Sequence, residues 1–329
     1  PCRRSTRRST FLLLTPSASM PDLRIGVVGA TGAVGTVTLE LLAERGFDRV
    51  RAFASSRSAG KRVGELIVEE ATPEALASGD FDLCFFSVGT DASRELVPHA
   101  VRGGAVCIDK SDAFRLTEGI PLVVAGVNDG ELDHDEIVAN PNCSAIELAC
   151  VLKPLDDAAG LARVRIATYQ SMSGAGDAGI EKLRDTPPLE ADLAMDWELE
   201  GDEFSEEYKL RAETRKILDL PELPLQATCV RVPVLVGHGQ AIWVETDAPL
   251  SPEEGREALA AAPHIRLADF PTPGEAAGQD EVLVGRIRRD PTAESGLALW
   301  AVCDNLRKGA ALNAVQIAEL LLERRLLAA

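Results

Sequence analysis

Residues 23–43 read Leu23-Arg-Ile-Gly-Val-Val28, then Gly29-Ala-Thr-Gly32-Ala-Val-Gly35, then Thr36-Val-Thr-Leu-Glu-Leu-Leu-Ala43. The first run is short and β-rich. The last carries apolar residues at helical spacing and stops before Gly46. This is strand, tight turn, helix. Gly29, Gly32 and Gly35 sit where a phosphate can approach free main-chain N–H groups at a helix start. The motif therefore predicts a nucleotide site, the plainer alternative being a tight βα turn that only packs.

A second strand, 50–54, decides which nucleotide. A site for NAD places an acid about 20 residues past the glycines, on the ribose hydroxyls. Here the strand runs into Ser55-Ser-Arg57-Ser58, with an arginine and three hydroxyls instead. That pattern suits a 2′-phosphate and predicts NADP. An ordinary solvated turn is the alternative.

Further strands are expected at 81–88, 105–108, 121–125 and 137–139, with a helix-like stretch at 93–102. Strands alternating with helices predict a doubly wound parallel sheet, a Rossmann domain. After Ser144 the pattern changes. Val164, Ile166, Thr168 and Gln170 alternate along a strand, and residues 181–220 look helical, loop-rich and acidic. Long strands then follow at 228–236, 241–246, 282–288 and 297–303. This predicts a mostly antiparallel α+β domain for substrate binding and dimerisation. From about Gly309 an apolar stripe of Ala311, Val315, Ala318 and Leu322 predicts a closing helix packed back on the first domain. The domains are thus expected at 20–143 plus 307–329, and at 144–306.

The 329 residues carry 34 basic and 52 acidic side chains, a net charge of −18. Nucleic-acid binders need a basic face, so that class is excluded. No apolar run approaches the roughly 20 residues of a membrane span. The seven cysteines are scattered, with no pair at metal-ligand spacing, so no metal site is expected. A reducing, cytoplasmic setting follows. Residues 1–19 hold four arginines and no acid. They read as upstream coding sequence ahead of Met20, the alternative being a transit peptide.

One cysteine stands apart. Asn140-Pro-Asn142-Cys143-Ser144 precedes a helical stretch, where free N–H groups favour a thiolate. Cys143 also lies where the two folding patterns meet, which suits a cleft. The others read as small buried hydrophobes. A nucleophile needs a base in reach. Of four histidines, His238 in Gly237-His-Gly239 follows a strand, a position typical of sites. A solvated turn histidine reads equally well there.

With these residues in view, the chain resembles aspartate-β-semialdehyde dehydrogenases from about Asp22 to Leu326. The motifs are Gly-Ala-Thr-Gly-Ala-Val-Gly at 29–35, Pro-Asn-Cys-Ser at 141–144, and Tyr-Gln-Ser-Met-Ser-Gly-Ala-Gly at 169–176. Glu-Glu-Tyr-Lys at 206–209, Cys-Val-Arg-Val-Pro-Val-Leu-Val-Gly-His at 229–238 and Asp-Asn-Leu-Arg-Lys-Gly-Ala-Ala at 304–311 complete the set. The resemblance implies that Cys143 is the nucleophile, His238 the general acid/base, and Gln170 a residue that holds substrate at the cysteine. It implies that Arg231 takes the substrate carboxylate, Glu206 its amino group, and Arg115 and Lys209 the phosphate. Thr31, Gly32, Ala33, Val34, Arg57, Ser58, Ser173, Gly174 and Asn305 are implied to contact NADP. A regular strand would put Arg231 and His238 on opposite faces, so one site needs a bend at Pro233 or Gly237.

The implied activity is reductive dephosphorylation of aspartyl phosphate to aspartate semialdehyde, in lysine, threonine and methionine biosynthesis. The implied partners are a small-molecule substrate, inorganic phosphate and further copies of the chain, as a dimer or tetramer. Two departures stand out. The stretch between Gln170 and Glu206 is short for the family, and Lys110 replaces a usual asparagine, facing either phosphate or solvent. The rivals are N-acetyl-γ-glutamyl-phosphate reductase, which usually shows Gly-Cys-Tyr at the cysteine, and a non-catalytic NADP-binding sensor.

Overall fold

The opening strand is buried along its whole length because it lies in the middle of a sheet. A computed structural model describes residues 23–186 and 197–327. The expected leader, residues 1–19, lies outside them. Strand β1 (Ile25–Val28) pairs in parallel with β2 (Val50–Ala54) on one side and β4 (Leu83–Phe86) on the other. The full order is β3-β2-β1-β4-β5-β6, all parallel, with β3 at Glu69–Glu70, β5 at Val106–Asp109 and β6 at Ile137–Ala139. Edge strand β3 was not expected, since two adjacent glutamates carry no strand signal. Helices α1 (Ala33–Glu44) and α2 (Thr90–Arg102) supply crossovers.

Residues 121–125 form no strand. Residues 122–125 are buried, as their apolar character demands, but the segment pairs with the sheet only through the bridge Leu122–Ala139. Side chains take up much of their backbone. Asn128 binds Val124 N–H and the Leu122 carbonyl, and Asn313 binds Ala125 N–H and the Val123 carbonyl. An apolar run reports burial, and only the partners of its N–H and C=O groups decide whether it is a strand.

The second sheet is mixed. Its order is β8-β7-β9-β12-β11-β10, from β7 (Leu161–Gln170), β8 (Leu225–Arg231), β9 (His238–Thr246), β10 (Ile265–Leu267), β11 (Val282–Arg289) and β12 (Gly296–Cys303). The expected antiparallel pairing holds for β7–β9, β9–β12 and β11–β12, whereas β7–β8 and β10–β11 are parallel. Helices α3 (Cys143–Ala159) and α5 (Ser205–Leu218) share a core with this sheet through residues such as Leu148, Leu152, Ile166, Leu210 and Ile242. A short turn, Met172–Ala175, leads from β7 into α4 (Gly176–Asp185).

The chain closes with one π-helical stretch, Arg307–Ala311, and α6 (Leu312–Glu323). The expected stripe underestimates α6, in which every residue from 312 to 318 is buried. Its side chains share a core with β1, α1 and β4.

Candidate active site

Helix α3 starts at Cys143 for local reasons. Pro141 has no N–H to give, and Asn142 caps the helix with its Oδ1 on the Ser144 N–H at 2.9 Å. Two carboxylates then hold the cap. The Asn142 N–H donates to Glu213 Oε2 at 2.6 Å, and its side-chain amide to Glu206 Oε1 at 2.9 Å. Cys143 is left as the first helical residue, with Sγ 3.1 Å from His238 Nε2.

His238 reaches that point by strand order. The β7–β8 register sets Arg231 directly beside Gln170, and β9 flanks β7 on its other side with Gly239 opposite Tyr169. The ends of three adjacent strands therefore bring Gln170, Arg231 and His238 together. The expected single strand over 228–236 is corrected. Strand β8 ends at Arg231, the chain passes Pro233, and the Gly237 turn, at φ 101°, starts β9. Alternation along one strand is thus no obstacle.

The carboxylate of Glu206 is buried and accepts from Gln170 Nε2 at 2.9 Å, with Lys209 Nζ 3.5 Å away. Lys209 also binds Asp112 at 3.0 Å. Arg115 is held on several sides: Nε binds the Asn140 carbonyl, Nη2 the Lys110 carbonyl, and Nη1 both Asp112 and Glu213. Arg231 lies 4.6 Å over the Trp197 ring and donates to the Ser171 carbonyl at 3.2 Å. Glu213, Trp197 and Ser171 were not expected. Glu206, Lys209 and Glu213 fall at i, i+3 and i+7 on α5, a spacing that would have revealed Glu213. No local signal marks Trp197.

Arg115, Cys143, Gln170, Trp197, Glu206, Lys209 and Arg231 line one cleft of about 640 Å³ together with Gly32, Ala33, Val34, Ser173, Gly174 and Asn305, with His238 and Glu213 behind them on Cys143 and Arg115. The glycine turn is tight. Gly29 has φ 87°, and a Cβ there would lie 2.2 Å from the Ser87 carbonyl oxygen. No side chain caps α1, so the N–H groups of Ala33, Val34 and Gly35 face the cleft end without intrahelical acceptors. That cradle fits a diphosphate. Arg57 and Ser58 follow β2 on the exposed turn beyond it and do not line the cleft. Thr31 and Gly35 belong to the turn itself. Asn305 is buried, and its Oδ1 accepts from Ser171 Oγ and the Gly237 N–H, both at 2.9 Å.

Electrostatics divide the groups. Burial, with Glu206 nearby, pushes the Cys143 thiol up to about 12 against the pull of Arg231 and Arg115. Burial and the Arg231 charge bring His238 down to about 3. Lys110 does not point to solvent: Nζ donates to Thr38 Oγ1 on α1 at 2.9 Å, and burial lowers its pKa to about 7. The other described cysteines are buried thiols.

Two family models match the chain. Residues 24–134 match the NAD binding domain of semialdehyde dehydrogenases, and residues 194–308 their dimerisation domain. An aspartate-semialdehyde dehydrogenase of Corynebacterium melassecola is 43% identical over 91% of this chain and 99% of its own. This chain belongs to the aspartate-semialdehyde dehydrogenase family. A family member from Aquifex aeolicus is 41% identical over 92% of this chain and 99% of its own. The crystal structure of aspartate semialdehyde dehydrogenase II from Vibrio cholerae, complexed with ASA, superposes with a TM-score of 0.86 at 40% identity, covering 92% and 99% of the two chains. The Candida albicans enzyme with NADP gives 0.77 at 25% identity, covering 93% and 99%. Family membership brings a nicotinamide-binding domain, an oxidoreductase activity and a dimerisation domain. No helix among the described residues is long and apolar enough to cross a membrane.

Proposed function

We propose that this chain is an NADP-dependent, phosphorylating aspartate-semialdehyde dehydrogenase that works through a thioester on Cys143. The observation that carries the reading is the 3.1 Å contact between Cys143 Sγ and His238 Nε2 at a helix start, inside a cleft that also holds the α1 cradle. The cysteine attacks the acyl carbon of aspartyl phosphate. A sulfur nucleophile suits this chemistry because it both attacks and leaves well. Arg115 and Lys209, each beside two carboxylates, receive the departing phosphate. Arg231 takes the substrate carboxylate in a charge-assisted pair, and Glu206 its ammonium group. Gln170, already bonded to Glu206, holds the acyl group over Sγ. Bound NADPH supplies the hydride that reduces the thioester.

Preference for NADP is supported by Arg57 and Ser58 at the end of β2, where the sequence offers no acid for a ribose 2′-hydroxyl. Ser173, Gly174 and Asn305 form the wall beside the nicotinamide end. The working form is a homodimer or tetramer, in line with the matched dimerisation domain. Free thiols at every described cysteine favour the reducing cytoplasm.

The test is reduction of NADP by aspartate semialdehyde with and without inorganic phosphate. Activity that requires phosphate is expected. Turnover of N-acetylglutamate semialdehyde instead would move the chain to the reductase rival. Binding of NADP without turnover of either aldehyde would favour the sensor.

A further inference from the structure

A carboxylate already spans the two cations that are to receive phosphate. Asp112 Oδ1 accepts from Arg115 Nη1 at 2.7 Å, and Oδ2 accepts from Lys209 Nζ at 3.0 Å. One oxygen on each cation is the arrangement that two phosphate oxygens would take. Asp112 lines the cleft beside Asn142 and Cys143, whereas Glu213, the other acid on Arg115, does not. The carboxylate therefore stands on the side from which an acyl phosphate would approach.

Charge forbids both anions at once. Arg115 and Lys209 are shared among Asp112, Glu206 and Glu213, so two cations face three carboxylates. A phosphate dianion added to that set would meet net negative charge in a partly desolvated cleft. One carboxylate must leave as phosphate arrives, and burial decides which. The side chains of Glu213 and Glu206 are 1% and 6% exposed and hold further groups, the Asn142 N–H and the Gln170 amide. The Asp112 side chain is 43% exposed and can turn into water. Its backbone need not follow, because Ser111 anchors the turn. The Ser111 Oγ accepts from the Ala113 N–H and donates to Asp109 Oδ2.

We infer that Asp112 is a placeholder for phosphate: its carboxylate holds the Arg115–Lys209 pair in the empty site, yields it to the phosphoryl group, and returns to displace the product phosphate. This deepens the proposed reaction and rests on the reading of Arg115 and Lys209 as the phosphate cations. No covalent bond changes in the exchange, because one anion replaces another on the same two donors.

Two consequences follow for the site. While it is empty, the carboxylate keeps both cations paired and in position, which spares the buried Arg115 an uncompensated charge. Once the acyl C–O bond breaks, the same carboxylate competes for the two cations, so the product phosphate is held weakly and released. A carboxylate that only braced the cations would act with the opposite sign. Its removal would leave Arg115 and Lys209 loose and weaken phosphate binding.

The test is titration of the full chain with inorganic phosphate, followed by ³¹P NMR, in a buffer free of other multivalent anions. The proteins are the unaltered chain, Asp112→Asn, Asp112→Ser, Lys209→Ala and the double variant Asp112→Asn with Lys209→Ala. The Kd for phosphate should fall on the order of tenfold in both Asp112 variants, the scale of two partly exposed ion pairs that no longer compete. That gain should vanish in the double variant. Unchanged or weaker binding in both Asp112 variants would overturn the inference. If that binding were still lost in Lys209→Ala, the phosphate site itself would stand, and only the placeholder would fall. Tighter binding that survives in the double variant would put phosphate elsewhere and overturn both readings, as would no binding to any of the five proteins. The spectra read phosphate whether or not the protein turns over an aldehyde.

Discussion

The cleft has two unlike walls. The first is main chain: one glycine turn, seven residues long, with a bare helix start behind it. The second is side chain: Cys143, Gln170, Glu206, Arg231 and His238 come from five separate segments, and most are buried with polar partners already in place. A wall of backbone tolerates exchange of side chains around it. A wall of mutually bonded side chains does not, because removing one partner strands the others in a low-dielectric site.

The largest contrast should come from the nucleophile. Cys143→Ala is expected to lower kcat by on the order of 10⁴-fold or more, in line with the loss of catalytic nucleophiles elsewhere. NADP affinity, read by fluorescence titration, should stay within about twofold, because the first wall is untouched. A parallel loss of cofactor binding would show that the walls are not separable.

Glu213 comes next. Glu213→Gln removes the buried carboxylate that holds both Arg115 and the helix cap. With only Asp112 left beside it, the buried Arg115 charge should cost about 2 kcal/mol of stability, read by urea unfolding. The KM for phosphate should rise on the order of 10²-fold, as for loss of a group that orients a charge clamp. A variant with normal stability and normal KM would make Glu213 a bystander.

The thiol offers a pH contrast. Its pKa is raised, so it stays protonated at neutral pH and ionises only as pH climbs. Alkylation of Cys143 in the empty protein should therefore quicken about tenfold per unit between pH 7 and 9, without a plateau. A plateau near neutrality would instead reveal a thiolate held by a charged His238.

The first wall is sharpened by two alanines. A Cβ on Gly35 would lie 2.0 Å from the Gly29 carbonyl oxygen, whereas one on Gly32 would meet nothing nearer than 3.6 Å. Gly35→Ala should destabilise the fold by about 3 kcal/mol, at the level of severe overpacking. Gly32→Ala should fold normally and weaken NADP about tenfold, by crowding the diphosphate cradle. Equal effects at both positions would mean the turn serves packing alone. The smallest effect is expected at the rim, where Arg57→Ala should raise the KM for NADP roughly fivefold and leave that for NAD unchanged, as for one exposed phosphate contact.

Legibility followed the same division. The glycine turn, its strand and its helix span 20 residues and could be read as a unit. Cys143 could be singled out because helix start, proline and asparagine all lie within three positions of it. His238 could not be raised above a solvated turn by its neighbours alone. Arg231 even argued against sharing a site with it, since the expected strand ran five residues past its observed end at Arg231 and left no room for the Gly237 turn. Family resemblance joined those two, and the β8-β7-β9 order supplies the physical reason. Residues 121–125 failed in the opposite direction. Their apolar run was correctly buried, but Asn128 and Asn313 take the hydrogen bonds that a strand would need.

By itself, the sequence determined a nucleotide-binding βα turn, an arginine where an acid would select NAD, and one cysteine at a helix start. Each of these depends on contacts within a few residues, where backbone geometry and capping act. Only the tertiary structure decided which histidine meets that cysteine, that two buried glutamates hold its helix cap, and that the Ser171 N–H donates to the histidine ring. Those are pairings between segments 64 to 95 residues apart, and strand order and register, not local propensity, set which side chains share a low-dielectric site.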